Sequence, residues 1–194
     1  MDSVFGICGD DWAIVASDSV VAYSIMKLKS NEDKIYHLDD TKVMAIAGDT
    51  CDRERFASYI QRSLDWYKYK NGYELDLEST AEFTRTELAT AIRKGPYNVN
   101  LLIAGYDEKA EKASLYWLDY FGTLQEVKKG AHGYANYFTS SVLDNHYKKD
   151  MTLDEGIECI KDCIKELQTR FLMSQPGFVI KIITKDGIKV ETVG

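Results

Sequence analysis

The chain has 194 residues and a formal net charge of −7, with 45% hydrophobic and 28% charged residues. That balance supports one packed core over the whole length and excludes a disorder-dominated chain. Lysines and arginines are scattered or alternate with acids, which excludes the basic footprint of a nucleic-acid binder, and no apolar run is long enough to span a bilayer.

The predicted elements begin almost at the first residue. Val4 to Ile7 and Trp12 to Ala16 are β-rich runs joined by the polar turn "GDD", a hairpin signal. "KIYHL" and "KVMAIAG" form a second pair around "DDT", after which Gly48-Asp49-Thr50 supplies a stop and a helix N-cap. Phe56, Ile60, Leu64 and Tyr67 then recur at helical spacing until Asn71-Gly72 ends the run. A second helix starts at the cap Asp76, carries Ala81, Leu88 and Ile92 on one face, and ends at Gly95-Pro96.

Beyond that point the pattern returns to strands. "NVNLLIAGYD" and "ASLYWLDYFG" flank the charged turn "EKAEK", and "TLQEV" extends the sheet. Residues Ala135 to Tyr147 read as a helix. Thr152 and Glu155 make a capping box for the next one, whose core face is Leu153, Ile157, Ile160, Ile164 and Leu167. Two final strand runs surround Asp186-Gly187, a hairpin cue. Hairpin links ask for antiparallel sheets, while "LLIAG" and "FVIKII" ask to be covered on both faces. Two packed sheets with helix pairs outside satisfy both demands, giving an α+β fold, a four-layer αββα sandwich with largely antiparallel sheets in a single domain spanning residues 1–194.

The cysteines Cys8, Cys51, Cys159 and Cys163 are too dispersed for a disulfide framework, and Asp2 stands where a secretory leader would carry basic residues. A reducing compartment follows, cytoplasm or cytoplasm and nucleus. Cys159 and Cys163 are four apart on one helix, a spacing open to a metal, but they flank the core residues Ile160 and Ile164 and no other Cys or His matches them. Core thiols are the favoured reading. His37, His132 and His146 are widely separated and sit in no nucleophile motif. The clusters "DWYKYKNGY" and "LYWLDYF" suit an interface, although by alternation about half of their rings should face the core.

The order of elements, with "VASDS", "NEDKIYHL", "MAIAGD", "LLIAGYD" and "LYWLDYFGT", resembles the β-type subunits of the 20S proteasome over nearly the whole chain. "GAHGY" followed by "VLDNHYKKDMTLDEGIECI" is most similar to the fourth of the seven eukaryotic β positions. The resemblance implies a sandwich of the N-terminal nucleophile hydrolase type. In active members the hydroxyl of an N-terminal threonine attacks a peptide carbonyl while its own α-amine acts as base.

Residue by residue, the resemblance implies an inactive member of a threonine-peptidase family. The threonine position falls on Asp2, a carboxylate where a hydroxyl is needed. Met1 is expected to remain, because the acidic Asp2 disfavours its removal, and the amine at residue 2 is then an amide. Asp18 and Lys34 match the family's aspartate and lysine, and Gly48 its oxyanion glycine. His132 stands where active members have serine and Phe171 where they have aspartate, while Ser174 keeps the second serine. For Asp18 and Lys34 the favoured reading is an ion pair kept by folding, and Gly48 can serve simply as a turn residue.

The expected function is therefore a non-catalytic β subunit that helps enclose the proteolytic chamber for ubiquitin-dependent degradation. It needs no cofactor and contacts neighbouring β subunits, an α-ring subunit and the opposite β ring. Two alternatives are an active hydrolase exposing Ser3 after processing, which the period-2 strand places on the wrong face, and a free-standing binding protein.

Overall fold

The computed structural model describes residues 2–24 and 26–193. Met1, on which the expectation of a retained first residue falls, lies outside them. Among the described residues the chain forms two five-stranded antiparallel sheets, a two-stranded ribbon and four helices.

The first sheet takes β1 (Ser3–Cys8), β2 (Trp12–Asp18), β10 (Lys129–Gly133), β11 (Phe178–Thr184) and β12 (Gly187–Val193), in the order β10-β1-β2-β11-β12. The second contains β5 (Ile35–His37), β6 (Lys42–Gly48), β7 (Val99–Asp107), β8 (Lys112–Leu118) and β9 (Leu124–Val127) in sequence order. The ribbon is β3 (Val21–Tyr23) with β4 (Met26–Lys29). Helices α1 (Thr50–Asn71) and α2 (Leu77–Ala91) pack on the second sheet, and α3 (Ala135–His146) and α4 (Leu153–Arg170) on the first. This is the αββα sandwich of the sequence reading.

Alternation explains why β1 and β2 are buried on both faces. Phe5, Ile7, Ile14 and Ala16 join Cys159, Ile160, Cys163 and Ile164 of α4 in one core layer. Val4, Ala13 and Val15 turn to the other side and meet Val43, Ala45, Leu102 and Ala104 between the sheets. Successive strand residues face opposite ways, so one hairpin feeds two cores. A third layer, with Phe56, Ile60, Leu77 and Leu88, lies under α1 and α2.

The caps behave as their residue types dictate. Asp49 accepts from the backbone N–H groups of Cys51 and Asp52 at the start of α1, and Gly72 closes that helix at φ +79°. Asp76 caps α2 through Ser79, and Thr152 with Glu155 forms the full capping box of α4.

Two features depart from the sequence reading. Residues 129–133 form β10, an edge strand whose Ser3–Gly133 and Val4–His132 pairings add it to the first sheet beside β1. Its "KGAHG" sequence carries little β-propensity, because glycine has no side chain to pack. The β3–β4 ribbon was likewise not expected, being short and exposed at Tyr23, Met26 and Leu28.

Candidate functional site

The start of β1 brings together residues from four separate parts of the chain. Antiparallel pairing sets Val4 opposite Ser17, so Asp18, the last residue of β2, reaches the backbone just before it. Ser3 N–H donates to Asp18 Oδ1 at 2.8 Å, and Val20 N–H donates to Oδ2 at 3.0 Å. Lys34, in the loop before β5, is fully buried. Its Nζ donates to Asp2 Oδ1 at 2.7 Å, to both Asp18 oxygens at 2.9 Å and to the Val20 carbonyl at 2.7 Å.

The second oxygen of Asp2 is held from the other sheet. Gly48 N–H donates to Oδ2 at 2.9 Å, and Arg53 Nη1, from the first turn of α1, at 3.2 Å. Glycine is required at 48, where φ is +150° and a Cβ would lie 2.1 Å from the Asn98 carbonyl. Gly133, at φ +66°, admits the main chain of residue 2 equally closely: a Cβ there would meet the Asp2 carbonyl at 2.1 Å, and Tyr134 N–H donates to that same oxygen at 3.0 Å. Gly48 thus stands at a position only glycine can take, with its N–H on the Asp2 carboxylate.

Burial drives the Asp2 carboxyl upward, but Lys34, the Gly48 N–H and Arg53 together outweigh it and hold the group below the ordinary carboxylate range. For Asp18 burial wins, and its carboxyl lies above that range despite Lys34. Arg53 loses charge stability to burial yet is held above its usual value by Asp2 and its other neighbours. An ionised carboxylate only accepts hydrogen bonds, so residue 2 supplies charge balance to two buried cations.

His132 lies beside this cluster and is 5% exposed. Its Nε2 lies 3.0 Å from the Leu101 carbonyl, which can only accept, so the neutral ring carries its proton there. The ring stacks on Trp117 with centroids 4.6 Å apart and planes 24° apart, tying β10 to the second sheet. Burial pushes its pKa down to about 4. Asp2, Gly48 and His132 border a cleft of about 540 Å³ whose walls include Trp117, Tyr134 and Tyr137.

The other two matched positions lie apart from the charges. Phe171 caps the end of α4, with its ring centroid 4.9 Å from Tyr134 and 5.6 Å from Phe138, so it touches the cleft's wall through Tyr134. Ser174 is exposed in the following loop. Ser3 has a buried hydroxyl with no hydrogen-bond partner, while Lys34 turns to residue 2 instead. Cys159 and Cys163 are core residues, and among the described residues no group of three or more His, Cys, Asp or Glu side chains could hold a metal.

Sequence reasoning missed Arg53. It is 1% exposed and continues the stripe of Phe56 and Ile60 by one turn, so a lone arginine on an apolar face was the available signal. A larger groove of about 940 Å³ lies between α1 and α2, lined by Tyr59, Trp66, Tyr67, Phe83 and Tyr97 among others, and holds no part of this cluster.

The model of the family described as "Proteasome subunit" matches residues 2–183. The chain is 48% identical over 189 residues to "Proteasome subunit beta type-2-A" of Arabidopsis thaliana, covering 97% of this chain and 92% of that one. It is 43% identical to "Proteasome subunit beta type-2" of Oryza sativa, with 97% and 89% covered. To "Proteasome subunit beta type-4" of Saccharomyces cerevisiae it is also 43% identical, with 97% and 96% covered.

Proposed function

Because this chain belongs to the proteasome subunit family, as a β-ring subunit of the 20S core, we propose that it serves the ring as a structural member and cleaves no peptide itself. One observation carries this reading: the side chain at the position of the family's threonine is a carboxylate engaged by Lys34, Gly48 and Arg53. The mechanism needs a hydroxyl whose proton passes to a free amine, and an ionised carboxylate has no proton to pass. His132 and Phe171 fill the places of a hydroxyl and a carboxylate with a neutral buried imidazole and a packed phenyl ring.

As a subunit of a peptidase complex the chain assembles with other proteasome subunits. We place two β neighbours, an α-ring subunit and the opposite β ring around it, with the exposed Trp66, Tyr69, Tyr73 and Tyr137 as candidate contacts. One domain and a cytoplasmic and nuclear location, compatible with free thiols at Cys8, Cys51, Cys159 and Cys163, complete the reading.

The test is covalent. Assembled particles are treated with a peptide vinyl sulfone that alkylates N-terminal nucleophiles, and each subunit is weighed by intact mass. Active subunits should gain the adduct while this chain keeps its mass. An adduct on residue 2 or on Ser3 would overturn the proposal.

A further inference from the structure

We propose that the corner around residue 2 is an anion site shaped for one carboxylate, that Asp2 is its resident ligand carried on the chain, and that a small free monocarboxylate takes the site when that side chain is cut back. The proposal goes beyond the silent-subunit reading and stands or falls on separate measurements.

The donors converge from three elements. Lys34 Nζ meets Oδ1 at 2.7 Å, and Gly48 N–H and Arg53 Nη1 meet Oδ2 at 2.9 and 3.2 Å, so each oxygen has its own partners. Two oxygens in one plane with separate donors is a carboxylate's pattern of recognition. The group is 8% exposed, so these contacts operate away from bulk water.

The donors are also fixed by contacts that do not involve Asp2. Lys34 is held by Asp18 and the Val20 carbonyl. Gly48 N–H is aimed by the close passage of the chain past Asn98, and Arg53 Nη2 lies 3.8 Å from Glu32 Oε1. Cutting Asp2 back to alanine therefore leaves the cage standing. It also removes the carboxylate that meets both buried cations directly, leaving Lys34 with Asp18 and Arg53 with only the more distant Glu32. A preformed site that has lost its direct anion binds what restores those charged contacts. The neighbouring cleft, bordered by Asp2 itself, is the entry path. The ligand class is a monocarboxylate no larger than the excised group, formate or acetate.

The experiment uses thermal unfolding of the full chain at neutral pH, in sodium formate against sodium chloride of equal ionic strength, with formamide as the uncharged control. Asp2→Ala should melt roughly 6–20 °C below the parent, the loss that a stranded buried charge implies for a chain of this size. Formate should then raise its Tm saturably, closing at least about a third of the gap at a hundredfold excess over half-saturation. The parent should not respond. Asp2→Asn, whose amide fills the site without charge, should melt low and gain little from formate. Should Asp2→Ala not fold unaided, refolding from urea must succeed in formate and fail in formamide. Equal effects of formate and chloride on Asp2→Ala, equal gains by Asp2→Asn, or refolding that formate does not improve would each overturn the proposal.

Discussion

Acid should unfold this protein in part through one histidine. His132 is buried, stacks on Trp117 and donates to the Leu101 carbonyl, and its pKa falls from 6.5 to about 4, mainly through burial. The unfolded chain binds the proton at pH 6.5 and the folded chain only near 4, so the unfolded state holds more protons across that window. Stability therefore rises with pH through it and is lost on acidification. Over the 2.5 units between those two values, at about 1.4 kcal/mol each, the loss approaches roughly 3–4 kcal/mol, of which about 2–3 has gone by pH 4.5. Other groups titrate as well, so the informative quantity is a difference of differences. Urea unfolding of the parent and of His132→Gln, whose amide can still donate to Leu101, is measured at pH 7 and pH 4.5. The variant should begin less stable because it loses the stacked ring, and then lose about 2–3 kcal/mol less than the parent on acidification. Equal acid losses in the two proteins would refute the reasoning and show that the buried imidazole accepts a proton without cost to the fold.

Three further outcomes follow from the same geometry. Lys34→Met leaves Asp2 and Asp18 buried without their shared cation and should cost about 3–5 kcal/mol in chemical unfolding; a loss under about 1 kcal/mol would mean that the carboxylates relax by taking up protons. Asp2→Thr, exposed as the first residue in particles whose active subunits are silenced, should turn over fluorogenic peptides at less than about a hundredth of an active subunit's rate, because groups that act as a unit are not restored one at a time. Turnover near the active rate would show His132 and Phe171 to be harmless. Gly156→Ala gains about 1 kcal/mol of helix propensity but sets a Cβ 2.4 Å from the Trp12 ring, which Met151 pins by a 3.3 Å hydrogen bond, so the melting temperature should fall; a rise would mean that the ring shifts freely.

The parts legible in the sequence were those decided locally. The capping box of α4 needs only Thr152 and Glu155, and the stop of α1 needs only Gly72, so residue type and spacing suffice. The β-rich runs from Val4 to Ile7 and from Trp12 to Ala16 around "GDD" likewise announced two strands joined as a hairpin. The parts that were not legible depend on distant partners. β10 is a strand because Ser3 to Ile7 pair with it, not because "KGAHG" favours extension. Arg53 lies on the apolar stripe of α1, but its partner Asp2 is 51 residues earlier, out of reach of any local pattern. Asp18, Lys34 and Gly48 were picked out by family resemblance alone. The distances that give them meaning run between two sheets and could not be read from spacing.

Those distances also bear on what the retained residues signify. Lys34 is fully buried and gives its donors to Asp2, Asp18 and the Val20 carbonyl, so none is left over for a reacting group. Asp18 holds the start of β1 through the Ser3 N–H and the turn after β2 through the Val20 N–H. Gly48 passes too near Asn98 for any side chain. Each is required by folding as it stands, since removing one member of a buried charge set strands the others at a cost of about 3–5 kcal/mol. Their presence is therefore equally expected with or without catalysis and cannot favour it. The discriminating position is the one where folding as it stands and catalysis ask for different chemistry. At residue 2 the buried Lys34 and Arg53 are balanced by an acid, whereas a nucleophile would have to be a hydroxyl, and the chain carries the acid.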